Sequence, residues 1–381
     1  MIKGQPMTDS WRIVYVEDEE KYREQVKEYL EGATFSHGQL SVLPVASFAE
    51  ARSLLADRKV DLLILDVFDA PIESHDDAGL KLLELWKETG FSPVVLYTAL
   101  PKDALDAAAP FVDIVGKDAG VTELLAAIGR LFDGRVPQTH RAIAEHIEGS
   151  LRKYMWNFVS ANWEHFKDLT MQPEFLRLLL ARLASELGNN LQPVLERAYG
   201  AGHKDPAPHA VHPAAYYIKP PVGTDALMGD LRMVEGQLLF VLWPSCDMVM
   251  RDEACKVDSV LCARTIKLEE TDEFRAWNTA ITEKSEEKKK KAKKSLDRLF
   301  RNQRTDVQSE RYHFLPKVWD IPAALVDFAD LRHVPVKELL SARCLATVAS
   351  PFAESVSARF LRYIARIGTP DLDMDIVIAS L

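Results

Sequence analysis

The chain has 381 residues, is 47% hydrophobic, carries a net charge of −10 and contains four cysteines with no close paired spacing. That length predicts two or three domains. The cysteines fit reduced thiols of a cytoplasm rather than a disulfide framework, and no run of about eighteen apolar residues offers a membrane span.

Residues 1–10 predict a disordered tail, and Met1–Pro6 lacks the apolar core of a signal peptide. Ile13-Val14-Tyr15-Val16 then reads as a buried strand running into Glu17, Asp18 and Glu19. Tyr22, Val26, Tyr29 and Leu30 recur at helical spacing, as do Phe48, Ala51, Leu54 and Leu55. Val60-Asp61-Leu62-Leu63-Ile64-Leu65 is a second apolar strand, and it ends at Asp66. A third helix is marked by Leu80, Leu82, Leu83 and Trp86. Pro93–Ala99 is a strand closing on Thr98 and Ala99, Val112–Lys117 a short strand closing on a lysine, and Leu124, Leu125, Ile128 and Leu131 mark a last helix. Strands alternating with helices predict an α/β fold with a doubly wound parallel sheet. Right-handed crossovers bring the carboxyl ends of its strands to one rim, where ligands gather.

Glu17, Asp18, Asp66, Thr98 and Lys117, in this order and at strand ends, resemble the receiver domain of two-component response regulators over residues 11–134. The resemblance implies a five-stranded, flavodoxin-like sheet in which Asp66 is the phosphoacceptor. By it Glu17, Asp18, Asp66 and the backbone carbonyl of Phe68 hold Mg²⁺, Thr98 is the switch hydroxyl, Ala99 is the small residue after it, and Lys117 pairs with the phosphoryl oxygen. The implied donor is a sensor histidine kinase or a phosphotransfer protein of a phosphorelay. The chemistry is coherent: Mg²⁺ takes oxygen ligands and keeps several waters, cations offset the charge of a transferring phosphoryl group, and carboxylates form acyl phosphates.

Three features depart from the family pattern. The acidic segment between Asp66 and Gly79, which carries His75, is several residues longer than usual. Ile114 stands where an aromatic switch residue is common, and Asp118 follows the lysine in place of proline.

Gly134-Arg135-Val136-Pro137 marks a boundary. A helical connector is expected over 138–198, on Ile143, Ile147, Leu151, Met155, Phe158 and Val159 and then Phe175, Leu176, Leu179, Leu180 and Leu183. It either packs on the C-terminal domain or serves as a dimerising or relaying element. The loop 200–213 holds His203, His209 and His212, whose spacing matches no strong metal template. Residues 210–381 predict an α+β output domain, with strands near 237–243, 257–263, 312–316 and 323–328 and a helical stretch from Arg343 to Ile367. The Ser245-Cys246-Asp247 triplet invites a thiol nucleophile, with His313 as a base. Zinc on Cys246, Cys255 and Cys262 lacks a paired motif. Glu283–Lys294 is a dense basic run read as an exposed helix or loop, with contact to nucleic-acid phosphates as the weaker alternative.

Residues 11–134 hold 23 acidic and 12 basic side chains, so the remainder is close to neutral. With no net basic domain and no helix-turn-helix pattern, a nucleic-acid-binding output is not expected. The expected function is a response regulator whose output works by partner binding or homodimerisation. The alternative is a receiver-gated hydrolase or nuclease with its site near Cys246 and Asp247.

Overall fold

The structure, a computed structural model, describes residues 9–35, 38–57, 59–68, 77–99, 101–168, 173–189, 191–203, 211–223, 225–251, 254–304, 310–366 and 372–381. The chain forms two compact units, Met1–Ala207 and Pro208–Leu381. No helix among the described residues is long and apolar enough to cross a membrane.

The first unit is built on a six-stranded sheet. Its elements are β1 (Asp9–Val16), α1 (Glu20–Leu30), β2 (Thr34–Phe35), β3 (Gly38–Val45), α2 (Phe48–Asp57), β4 (Leu62–Leu65), α3 (Ala78–Thr89), β5 (Val94–Thr98), β6 (Val112–Gly116) and α4 (Gly120–Asp133). The strand order is β2-β3-β1-β4-β5-β6. Five strands run parallel, and the sixth, β2, is a two-residue antiparallel edge. The sheet therefore has one strand more than the five expected. The strand begins at Asp9, inside the segment expected to be tail, because Asp9 and Ser10 pair with Gly38 and Gln39.

Both faces of the sheet are covered, which is why β4 and β5 read as unbroken apolar runs. Trp11, Ile13, Tyr15, Leu62, Ile64, Val95 and Tyr97 pack with α1 and α4 on one face. Val14, Val16, Leu63, Leu65, Val94 and Leu96 pack with α2 and α3 on the other. Between β5 and β6 the chain makes only a 3₁₀ segment, Pro101–Ala107, where the other crossovers carry α-helices.

The connector begins with α5 (Val136–Tyr154), continues through a π-turn and a 3₁₀ turn to α6 (Trp163–Phe166), and is completed by α7 (Pro173–Asn189) and α8 (Gln192–Tyr199). It belongs to the first unit. Arg141 of α5 reaches the opposite rim of the sheet, the one where β4 starts. Its Nε donates to Asp61 Oδ1 at 2.9 Å and its Nη2 to Asp61 Oδ2 and, at 2.8 Å, to the carbonyl of Ser10. The Arg12 backbone N–H donates to the same carboxylate at 2.8 Å. Asp61 is 3% and Arg141 8% exposed, and the guanidinium lies 3.9 Å above the Trp11 ring centroid.

The second unit is an antiparallel sheet. It comprises β7 (Tyr217–Ile218), β8 (Asp230–Val234), β9 (Gln237–Val241), α9 (Ser245–Met248), β10 (Ser259–Lys267), α10 (Asp272–Thr282), α11 (Glu286–Phe300), β11 (Tyr312–Leu315), β12 (Ala324–Pro335), α12 (Val336–Ser341), β13 (Arg343–Val348), α13 (Phe352–Ile364) and α14 (Met374–Ala379). The strand order is β11-β12-β10-β9-β8-β13-β7, an open sheet with β11 and β7 at its edges. Residues 343–348, expected as the start of a helix, are a strand. Arg343-Cys344-Leu345-Ala346-Thr347-Val348 pairs with both β8 and β7. Leu345 and Val348 share an i, i+3 spacing that a buried strand also satisfies. The basic run forms α11, in agreement with the helix reading.

His313 on β11 is 5% exposed; its Nε2 lies 2.7 Å from the Tyr216 hydroxyl, while Nδ1 has no hydrogen-bond partner among the described residues. Burial, and then the charge of Arg359, push its pKa down to about 3. The unfolded imidazole protonates near pH 6.5 and the folded one does not, so stability is lost as pH falls below that value. Between pH 7 and pH 5 the expected loss is about 2 kcal/mol. Urea unfolding at the two pH values checks it: His313→Leu should remove most of this drop, and an equal drop in both proteins would refute the assignment.

Candidate functional site

The ends of β1, β4, β5 and β6 meet at one rim. Val16 lies beside Leu65 in the β1–β4 register, so the next residues, Glu17 and Asp66, become neighbours. Leu65 beside Leu96, and Thr98 beside Gly116, bring Thr98 and Lys117 to the same edge. From β1 the chain passes to β3 on one side and then to β4 on the other. The crevice between β1 and β4 is thus the topological switch point, where such sheets place their ligands.

Lys117 ties the cluster together. Its Nζ lies 2.7 Å from Asp66 Oδ2 and 2.8 and 3.0 Å from the two Glu17 carboxylate oxygens. Glu17 is fully buried and Asp66 nearly so. Burial lowers the lysine pKa, but the hydrogen bonds and charges of Asp66 and Glu17 outweigh it and raise the value, so the ammonium stays charged. Burial pushes the Glu17 carboxyl up, against the hydrogen bond from Lys117. The Val67 N–H donates to Asp66 Oδ1 at 2.7 Å, fixing the carboxylate with one oxygen on the backbone and one on the lysine.

Four residues that the sequence reading missed support this cluster. Tyr15 donates its hydroxyl to Glu17 Oε2 at 2.7 Å; burial, and then the Glu17 charge, push its own pKa above the ordinary range. Arg23 Nη1 donates to the carbonyls of Glu17 and Asp18 at 2.8 and 2.9 Å, bracing the β1–α1 turn. The Tyr22 ring centroid lies 4.5 Å from Lys117 Nζ, a cation–π distance. Gly79, in the first turn of α3, donates its N–H to the Val67 carbonyl at 3.0 Å and presses against the Asp66 backbone. Tyr15 carried a signal, a hydroxyl inside an apolar strand, and Gly79 another, a lone glycine at a helix start.

Carboxylate oxygens of Glu17, Asp18 and Asp66 lie within 4.8 Å of one another, the one such metal-competent group among the described residues. Hard oxygen donors clustered in this way fit a small divalent cation such as Mg²⁺. Phe68 is half-buried against the α2–α3 side of the core, and Ile114 packs on the same side. Residues 69–76, including His75, lie outside the described residues.

The other candidates do not assemble. Cys246 is exposed, and its thiol lies 3.6 Å from Asp247 Oδ1, which Lys256 also approaches at 3.6 Å. His313 is instead paired with Tyr216, and among the described residues no histidine is hydrogen-bonded to the thiol. Cys262 is buried in the β9–β10 core, where burial pushes its thiol up to about 12, far from a metal-ready thiolate. His212 Nδ1 accepts from the Ala214 N–H, His203 stacks on Tyr199, and His209 lies outside the described residues.

No family model and no curated protein matches the chain. Solved structures do. The receiver domain of the Francisella response regulator 1452 is 19% identical, with 32% of this chain and 96% of that chain covered and a TM-score of 0.26. The signal receiver domain of an HD domain-containing protein from Pseudomonas fluorescens Pf-5 is 20% identical, over 33% and 97%, with a TM-score of 0.27. A two-component transcriptional regulator AraC from Clostridium phytofermentans ISDg is 17% identical, over 32% and 92%, with a TM-score of 0.25. The solved structures similar to about a third of this chain are response regulator receiver domains.

Proposed function

We propose that this chain is a response regulator in which Asp66 accepts a phosphoryl group from a sensor histidine kinase or a phosphotransfer protein. The observation that carries the reading is the convergence of Asp66, Glu17, Asp18 and Lys117 at the switch point of a doubly wound sheet. An Asp66 carboxylate oxygen attacks the phosphorus of a phosphohistidine or a small acyl phosphate. The P–O bond of an acyl phosphate breaks and its carboxylate leaves with the electron pair, or the P–N bond of a phosphohistidine breaks and the imidazole leaves with the pair and takes a proton from water; an aspartyl phosphate remains. Lys117 neutralises the phosphoryl oxygens, and Tyr15 and Arg23 keep Glu17 and Asp18 in place. Glu17, Asp18, Asp66 and the Phe68 carbonyl would hold Mg²⁺, which supplies charge neutralisation of the phosphoryl group when bound. Thr98, buried at the end of β5, is positioned on the same edge to respond to the new oxygens. The N-terminal unit then controls the C-terminal one through partner binding or dimerisation, in a cytoplasm whose reducing state suits four free cysteines.

Incubation with a small acyl phosphate and Mg²⁺, followed by intact-mass measurement, should add one phosphoryl group to the wild type. Asp66→Asn should gain none, and chelation of the metal should stop labelling of the wild type. Equal labelling of wild type and Asp66→Asn would sink the assignment.

A further inference from the structure

The net charge of the chain argues against a nucleic-acid partner, yet the fold concentrates positive charge on one helix. Between Glu283 and Arg301 there are nine basic and four acidic residues, a local net of +5 in a chain of −10. α11 is capped by Ser285, whose hydroxyl accepts from the Lys288 N–H, with Glu286 and Glu287 in its first turn. It is held down by Ala292, Leu296 and Leu299, a buried i, i+4, i+7 row of which Leu299 packs in a cluster with Leu268, Ala323 and Leu325. That row fixes which side of the helix faces outward.

The outward side carries Lys290, Lys291, Lys293, Lys294, Arg298 and Arg301, with Glu287 and Asp297 among them, all exposed. Lys288 and Lys289 are paired with Glu283 and Glu286 at 2.6 and 3.6 Å, whereas Lys290, Lys291, Lys293 and Lys294 form no ion pair among the described residues. Lys290 and Lys294 are one turn apart, as are Lys291 and Lys294, so like charges face each other and weaken the helix. Glu287 stands one turn before Lys290 and Lys291, and Asp297 one turn after Lys293 and Lys294, so the face stays net positive with these two acids among its bases. From Lys290 to Arg301 the row runs about 16 Å along the axis, long enough to follow several consecutive phosphates of one strand.

We propose that the outward face of α11 binds the phosphate backbone of a nucleic acid. Within a screening length of about 10 Å at 0.1 M salt a phosphate senses the local charge of this face rather than the net charge of the chain. The apolar residues Ala292, Leu296 and Leu299 point into the protein, so the face has no row to insert into a bilayer. Phosphate contacts of this kind carry no base sequence information.

The test uses the full chain and a fluorescein-labelled 30-base-pair duplex of arbitrary sequence, titrated across 50–200 mM salt. The wild type should bind, with affinity falling steeply as salt rises. Lys290→Gln/Lys291→Gln/Lys294→Gln should weaken binding and flatten the log–log salt slope by about 2.7, near 0.9 per lost phosphate contact. Lys21→Gln/Lys27→Gln/Lys81→Gln, which removes three lysines from the first unit, should bind as the wild type does. Absence of binding at 50 mM salt, or an α11 variant indistinguishable from wild type, overturns the proposal. Retention on phosphatidylserine vesicles in preference to the duplex overturns it in favour of a membrane.

Discussion

Arg141→Ala should destabilise the N-terminal unit by about 3–5 kcal/mol, the usual cost of removing one partner from a buried ion pair. Asp61 is 3% exposed, and Arg141 supplies two of the donors to its carboxylate. Without them the Arg12 backbone N–H and its half-exposed guanidinium, 3.3 Å away, remain, which places the expected effect toward the lower end. The Ser10 carbonyl loses its side-chain donor and Trp11 its stacked cation as well. Hydrogen exchange of the β1 and β4 amides in the full chain measures the loss directly. Adding Asp61→Asn to the alanine variant should recover part of it, because the uncompensated charge is then gone. An alanine variant within about 1 kcal/mol of wild type would show that the pair is not what anchors α5. Asp61 and Asp66 lie at opposite ends of β4, about 16 Å apart, so labelling at Asp66 should persist in the surviving folded fraction.

How much of this was legible in the sequence depends on range. Asp66, Glu17, Thr98 and Lys117 could be read because each closes a short apolar strand, and parallel strands deliver their ends to one rim by topology alone. The Arg141–Asp61 pair spans 80 residues, and nothing in the local pattern around either residue points to the other. β13 was misread for a different reason. It is flanked by β8 and β7 and covered by core, so its residues 345–348 are all buried; without alternation, apolar spacing cannot separate a strand from a helix. The seven-residue 3₁₀ segment after β5 also left no mark, since Ala104 and Leu105 suit a helix equally well. Charge was informative only once folded. The sum over the C-terminal half is near zero, while the burial of Ala292, Leu296 and Leu299 leaves Lys290, Lys294 and Arg301 facing outward.

Gly79→Ala should lower the rate of Asp66 phosphorylation by about a hundredfold, the scale of a 1 Å displacement of a reacting group. A Cβ built at Gly79 would lie 1.9 Å from the Asp66 carbonyl oxygen, 2.9 Å from its carbonyl carbon and 2.9 Å from Val67 Cα. All three are backbone atoms, so no side chain can rotate out of the way. Either α3 lifts from the sheet, losing the Gly79 N–H to Val67 carbonyl bond, or the segment carrying Asp66 moves. The second choice shifts the carboxylate from its 2.7 Å contacts with Lys117 and the Val67 N–H. The first loosens Leu82, Leu83 and Trp86 from the core and should cost about 1–3 kcal/mol, as overpacking does. Gly149→Ala is the control: a Cβ there meets nothing within 4 Å, α5 gains helix propensity, and labelling should run at the wild-type rate. Labelling kinetics with a small acyl phosphate, alongside thermal unfolding of both variants, separate the outcomes. A Gly79→Ala protein that labels as fast as wild type would mean that the close approach of α3 does not set the position of the acceptor.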